Sequence, residues 1–180
     1  MSDTLFNPVT GDTLRFIKTA KETNGEVSEF ILTLAPKSDW AKSPKHFHPH
    51  QKESFKVLSG ELHLYEGKKL HILTAESDKV IIDKLTLHAF WNPLDTETVL
   101  HAEIYPPVDI EKGLRFNYYL AQKGKVYKNN IPRNLFHSFI LMNYVDSYFK
   151  GIPWKFQKQV WKFGAKIARF LGYKDPLISN

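Results

Sequence analysis

Between Asp12 and Pro107 the chain is written in short β-prone runs separated by turn residues, and this rhythm restricts the segment to an all-β sandwich or barrel. Strands are expected over 13–19, 27–35, 44–50, 53–59, 61–66, 69–73, 79–83, 86–91 and 97–105. Several alternate: Phe55 and Val57 flank Lys56, Leu62 and Leu64 flank His63, and Leu100, Ala102 and Ile104 flank His101 and Glu103. A side-chain period of two sends one set inward and the other out, as half-buried antiparallel strands require. Between Leu64 and Leu70, Glu66-Gly67-Lys68-Lys69 reads as a hairpin in which Gly67 is free to take a positive φ.

After Pro106-Pro107 the period changes from two to three or four. Helices are expected near 109–122, 133–149 and 154–171. In the last, Lys155, Lys158, Lys162, Lys166 and Arg169 form a basic stripe, leaving Val160, Trp161, Phe163, Ile167, Phe170 and Leu171 as a broad apolar face. Charge divides at the same boundary. Residues 1–107 carry 12 Lys/Arg against 15 Asp/Glu, and residues 108–180 carry 13 against 4, so the basic balance belongs to the helical part. Two units follow: a β-barrel over 1–107, and a helical extension over 108–180 packed on the barrel or on a dimer mate. With 180 residues and no cysteine, disulfide frameworks, thiolate metal sites and cysteine nucleophiles are excluded. No leader-like start and no bilayer-length apolar run is visible, which leads us to expect a cytoplasmic protein.

The chemistry lies in the histidines. His46 and His48 form an HxH on one expected strand, which places both imidazoles on the same face about 7 Å apart. Five residues beyond His48, after a turn through Pro49-His50-Gln51-Lys52, Glu53 can return a carboxylate towards that pair. His88 lies in another β-prone run that barrel closure can bring alongside. Three imidazoles and one carboxylate suit a divalent transition metal (Fe, Mn, Ni, Cu, Co or Zn) and leave coordination positions open for a substrate or dioxygen. The bland alternative is a group of polar residues in a barrel mouth, hydrogen-bonded to one another.

At these residues the sequence resembles the cupin superfamily. Its first motif, G(x)5HxH(x)4E(x)6G, is matched from Trp40, standing where the glycine is expected, through His46, His48 and Glu53 to Gly60. The second, G(x)5PxG(x)2H(x)3N, is matched by His88 and Asn92, with Asp83 and Leu85 where the family has proline and glycine. The resemblance implies a double-stranded β-helix, or jelly-roll, barrel over roughly 12–107, and implies nothing about 108–180. Cupins span dioxygenases, isomerases, decarboxylases, cyclases, storage proteins and sugar-binding domains, so the resemblance leaves activity open.

Other polar and aromatic residues compete with blander roles. His50 is expected in a solvent-exposed turn, and His101 and Glu103 on the outer face or rim. Phe55, Tyr65, Phe90 and Trp91 are expected to fill the barrel. Two functions are weighed. One is a metal-dependent enzyme, dioxygenase-like or an isomerase or cyclase, acting on a small oxygenated organic substrate, with Glu53 as ligand and, if it leaves the ion, as base. The other is a non-catalytic small-molecule-binding module with a structural metal or none. No nucleic acid partner is expected, because no recognition module appears. A homodimer is expected, with contact to a membrane surface the lesser alternative for the basic helix.

Overall fold

The computed structural model describes residues 3–38 and 45–173; Trp40 lies outside the described residues. In chain order the elements are β1 (Thr4–Phe6), β2 (Thr13–Lys18), β3 (Ser28–Leu34), β4 (His46–Phe47), β5 (Lys52–Ser59), β6 (Leu62–Glu66) and β7 (Lys69–Leu73). They continue with β8 (Val80–Ile82), β9 (His88–Trp91), β10 (Thr98–Tyr105), α1 (Ile110–Gln122), α2 (Leu135–Val145), β11 (Tyr148–Phe149) and α3 (Trp154–Phe170).

The strands form two antiparallel sheets, one ordered β1-β2-β3-β10-β5-β8 and the other β11-β4-β9-β6-β7. Setting aside β1, β2 and β11, the strands from β3 to β10 alternate between the sheets in the orders first-eighth-third-sixth and second-seventh-fourth-fifth. That interleaving of the two halves of the chain is the jelly roll, a double-stranded β-helix. Alternation in the sequence fixes which side of each strand faces in. Phe30, Leu32, Leu34, Phe55, Val57, Leu62, Leu64, Leu100, Ala102 and Ile104 are all buried between the sheets. His101 and Glu103 face outward, the first beside Glu29 at 3.5 Å and the second accepting from Ser54 and Lys79.

The extension is not purely helical. The helix expected over 133–149 ends at Val145, because Asp146 takes a left-handed conformation at φ +46 and Tyr148–Phe149 pairs with β4 as a strand. A two-residue strand has no period to read, and the apolar run from Leu135 to Val145 hides its end. Asp and Ser at 146–147 are the turn signal that marks it. α2 is apolar on all sides, as befits a helix lying between two others: it packs on α1 and on α3.

α3 meets α2 through Gly164, Ala165 and Ala168, all buried. A Cβ at Gly164 would lie 2.5 Å from the Phe139 ring, so glycine is what allows this close approach. The small side of the helix, together with Trp161, makes the intramolecular contact, and the rest of the large apolar side expected from the sequence does not. Phe156, Phe163 and Phe170 are left exposed.

Two glycines separate local strain from packing. Gly60, at φ +80, closes the β5–β6 turn, and a Cβ there would lie 2.8 Å from the Glu97 carbonyl oxygen. Gly67, at φ +60 in the β6–β7 hairpin, has open space around it. Gly60→Ala should cost about 2–5 kcal/mol, from a left-handed alanine plus overpacking, and Gly67→Ala only about 1–2 kcal/mol. Denaturant midpoints of the two variants check the difference; equal costs would mean the Glu97 contact is absorbed.

Candidate metal centre and its cavity

β4 and β9 pair with His46 directly opposite His88, and the HxH period places His48 on the same side as His46. The three imidazoles meet with ring centroids 4.5 Å (His46 to His88), 5.0 Å (His46 to His48) and 5.3 Å (His48 to His88) apart. One ring nitrogen of each lies within 4.8 Å of the others. Glu53, at the start of β5 in the facing sheet, brings its carboxylate to 3.4 Å from His48 Nε2 and 3.0 Å from His88 Nε2. The structure thus gathers the four residues expected from the sequence at one end of the barrel.

The rings are oriented from behind. His48 Nδ1 lies 3.2 Å from the carbonyl oxygen of Asp146, and His88 Nδ1 lies 3.0 Å from that of Thr86. A carbonyl only accepts, so in both rings Nδ1–H is the donor and Nε2 presents a lone pair when the ring is neutral. Both Nε2 atoms are buried and make no hydrogen bond, although Glu53 is close. Lone pairs on two imidazoles thus face lone pairs on a carboxylate, and only a cation between them makes the contact favourable.

Glu53 does not bring that cation as a proton. Burial alone would raise its pKa, but the positive charge that His48, His88 and His46 carry when protonated outweighs burial and holds it down at about 2. Burial pushes His48 below the ordinary imidazole value, even with Glu53 pulling the other way. At His88 burial also lowers, yet the negative charge of Glu53, 3.0 Å from Nε2, prevails and raises it. The remaining candidates are an imidazolium proton at His88 or a metal ion held by several rings. Three convergent imidazoles, two of them backed by carbonyls, are the donor set of the second.

Leu85 explains how His88 is presented although the glycine of the second motif is missing. It adopts φ +64, the left-handed backbone that a glycine would take freely, and its N–H donates to the carbonyl of His48 at 2.9 Å. The turn is therefore kept by a strained leucine. Asn92, the other residue of that motif, is a clip: its amide donates to the carbonyls of Leu34, Ala35 and Thr96 and its oxygen accepts from Leu94 N–H.

His46, His48 and Glu53 open onto a cavity of about 460 Å³. Leu14, Phe30, Phe55, Phe90 and Ile104 line it from the barrel, and α1, α2, the 129–132 loop and Trp161 of α3 line it from the extension. Of the aromatic residues in question, Phe55 and Phe90 border this space, whereas Tyr65 and Trp91 pack on each other with centroids 5.3 Å apart. Besides His48 Nε2, two polar atoms on cavity-lining residues are buried without a protein partner: Asn117 Oδ1 and Trp161 Nε1. No pattern in the sequence marked them, because their placement depends on how the helices close over the barrel.

His50 is half-exposed in its turn, as expected, but it is not idle. Its Nδ1 lies 2.8 Å from Asp146 Oδ2, and its ring meets Trp154 edge-on. Asp146 thus ties both His48 and His50 to the end of α2.

No family model matches the chain. An oxidoreductase from Arthrobotrys oligospora is 46% identical over 50 residues, which are 28% of this chain and 20% of that protein; the chain spans about a fifth of the length of this curated relative. Among solved structures, the Cupin_2 domain of an XRE family transcriptional regulator from Enterobacter cloacae has a TM-score of 0.42 at 22% identity, covering 52% of this chain and 95% of that one. A predicted oxalate decarboxylase from Thermotoga maritima has a TM-score of 0.45 at 17% identity, covering 52% and 79%. KdgF from Halomonas sp. has a TM-score of 0.46 at 11% identity, covering 56% and 84%.

The strain at Leu85 is testable. Its side chain is mostly exposed, so Leu85→Gly forfeits little burial. It should be neutral or stabilise by up to about 1 kcal/mol, the left-handed penalty relieved less the added chain entropy of glycine. Thermal unfolding checks the sign; a loss above about 1 kcal/mol would show that the leucine side chain supports the turn.

Proposed function

We propose that this chain, a jelly roll of the cupin kind, is a metal-dependent enzyme holding a divalent transition metal through His46, His48 and His88 with Glu53 as the fourth ligand. The observation that carries the reading is the pair of buried Nε2 atoms on His48 and His88, oriented by backbone carbonyls and facing an ionised carboxylate. A bound divalent ion would supply Lewis acidity or electron exchange to an oxygen-bearing substrate at its open positions.

The chain's own groups would do the rest. The Asp146 and Thr86 carbonyls keep the His48 and His88 rings in the ligating tautomer. Glu53 is ionised at neutral pH and can accept a substrate proton at whichever oxygen is not engaged. The apolar walls keep bulk water from the reacting end, and with about 460 Å³ they fit a small, largely apolar molecule carrying oxygen at the histidine end. In this reading the described part of the extension, residues 108–173, forms the lid of the site, since α1, α2 and Trp161 supply much of the wall. The Arthrobotrys oligospora oxidoreductase lends support to redox chemistry over a short stretch only.

Elemental analysis of protein purified without chelator should find a transition metal near one per chain. His48→Ala and His88→Ala should each lose most of it, and His50→Ala should keep it, because the His50 ring is held by Asp146 outside the imidazole group. Equal loss in all three would bring His50 into the ligand set, and a metal-free wild type would remove the reading.

Oxygen uptake with apolar aromatic diols or flavonol-like compounds tests turnover. If Glu53 is the base, Glu53→Gln saturated with metal should lower kcat by about 10²–10⁴-fold. Stoichiometric binding of such compounds without turnover would favour the non-catalytic binding module instead.

A further inference from the structure

α3 divides its circumference into three arcs at 100° per residue. One arc, with Gln157, Gly164, Ala165 and Ala168, is buried against the rest of the chain. A second carries Lys155, Lys158, Lys162, Lys166 and Arg169, and no Asp or Glu occurs anywhere in the helix. Between them lies a third arc with Phe156, Val160, Phe163, Ile167 and Phe170, at successive spacings of four, three, four and three residues. These side chains are in water: Phe156 is 63% exposed, Phe163 66% and Phe170 89%.

We infer that this face of α3 docks on an anionic lipid surface, with the phenylalanine arc sunk among the acyl chains and the lysine arc at the headgroups. This does not depend on the metal reading. An uncovered stripe of three phenylalanines and two β-branched residues is a costly surface for a protein to show to water, and such patches mark contact sites. What the charge adds is the kind of contact. The basic arc adjoins the apolar one along the whole helix, and a bilayer with anionic headgroups offers apolar depth and negative charge side by side.

A second copy of the chain fits this face less well. A two-fold contact is self-complementary, so pairing the apolar arcs antiparallel would bring two basic arcs to one seam, and in either direction α3 has no acid to offset them. The helix lies in the interface and does not cross it. Its 17 residues span about 25 Å, and among the described residues no helix is long and apolar enough to cross a membrane.

Co-sedimentation of the full chain with phosphatidylcholine vesicles, with and without about 30% phosphatidylglycerol, tests this at about 0.05 and 0.5 M salt. Binding to the anionic vesicles should be strong at low salt and weaken at high salt. Lys155→Gln, Lys162→Gln and Lys166→Gln should each lower the anionic preference about fivefold. Phe163→Ser combined with Phe170→Ser should lower binding to both vesicle types about tenfold or more. Because all five side chains are exposed, the variants should unfold as cooperatively as the wild type, which thermal unfolding checks.

No sedimentation with anionic vesicles, or vesicle binding unaffected by the phenylalanine pair, would overturn the inference. So would a wild-type dimer that the phenylalanine pair turns into a monomer, since that would give the face to a second copy.

Discussion

Everything around the barrel mouth answers to one electrostatic demand, that an ionised Glu53 sits buried among three imidazoles and apolar walls. Removing a carboxylate from water costs several kcal/mol unless it is matched by opposite charge and hydrogen bonds. The match requires His46 on β4, His88 on β9 and His48 beyond β4 to converge on Glu53 of the opposite sheet, and that convergence is what the jelly-roll interleaving of β4, β9 and β5 makes available. The strained turn at Leu85 and the left-handed Asp146 both serve it. The first has its N–H bonded to the His48 carbonyl and leads into β9, and the second holds the His48 ring from behind.

How much of this could be read from the chain follows from which interactions are local. Strand alternation is local: Leu100, Ala102 and Ile104 inward with His101 and Glu103 outward is decided by a period of two. So is the shared face of His46 and His48. The meeting of His88 with His46 is not local, and it was expected from barrel closure and from the resemblance carried by the second motif, His88 and Asn92, beside the first. Gly60 has its own physical reason, with a positive φ and the Glu97 carbonyl against its missing side chain.

What stayed hidden depends on tertiary closure. β11 has two residues, and its only reason to be a strand is the free edge of β4. The unpaired Asn117 Oδ1 and Trp161 Nε1 acquire meaning only once α1 and α3 stand around one cavity. The amphipathic pattern of α3 was plain, but a pattern says that a face is apolar and not which face will be covered. Gly164, Ala165 and Ala168 decided that, because small side chains let α3 approach Phe139 closely while the phenylalanines could not.

α3 is also joined to the imidazole cluster by hydrogen bonds that run through β11. Gln157, on its buried arc, donates to the carbonyls of Phe149 and Ile152 and accepts from Phe149 N–H. Phe149 is paired with His46, and Tyr148, whose hydroxyl donates to Asp146, is paired with Phe47. Asp146 in turn reaches both His48 and His50. A helix whose inner arc holds the strand beside His46 cannot shift far without disturbing this chain of contacts. Trp161, on the same helix, borders the cavity directly. The extension is therefore part of the site's architecture in two respects: it closes the apolar space above the imidazoles, and it fixes the backbone from which two of them project.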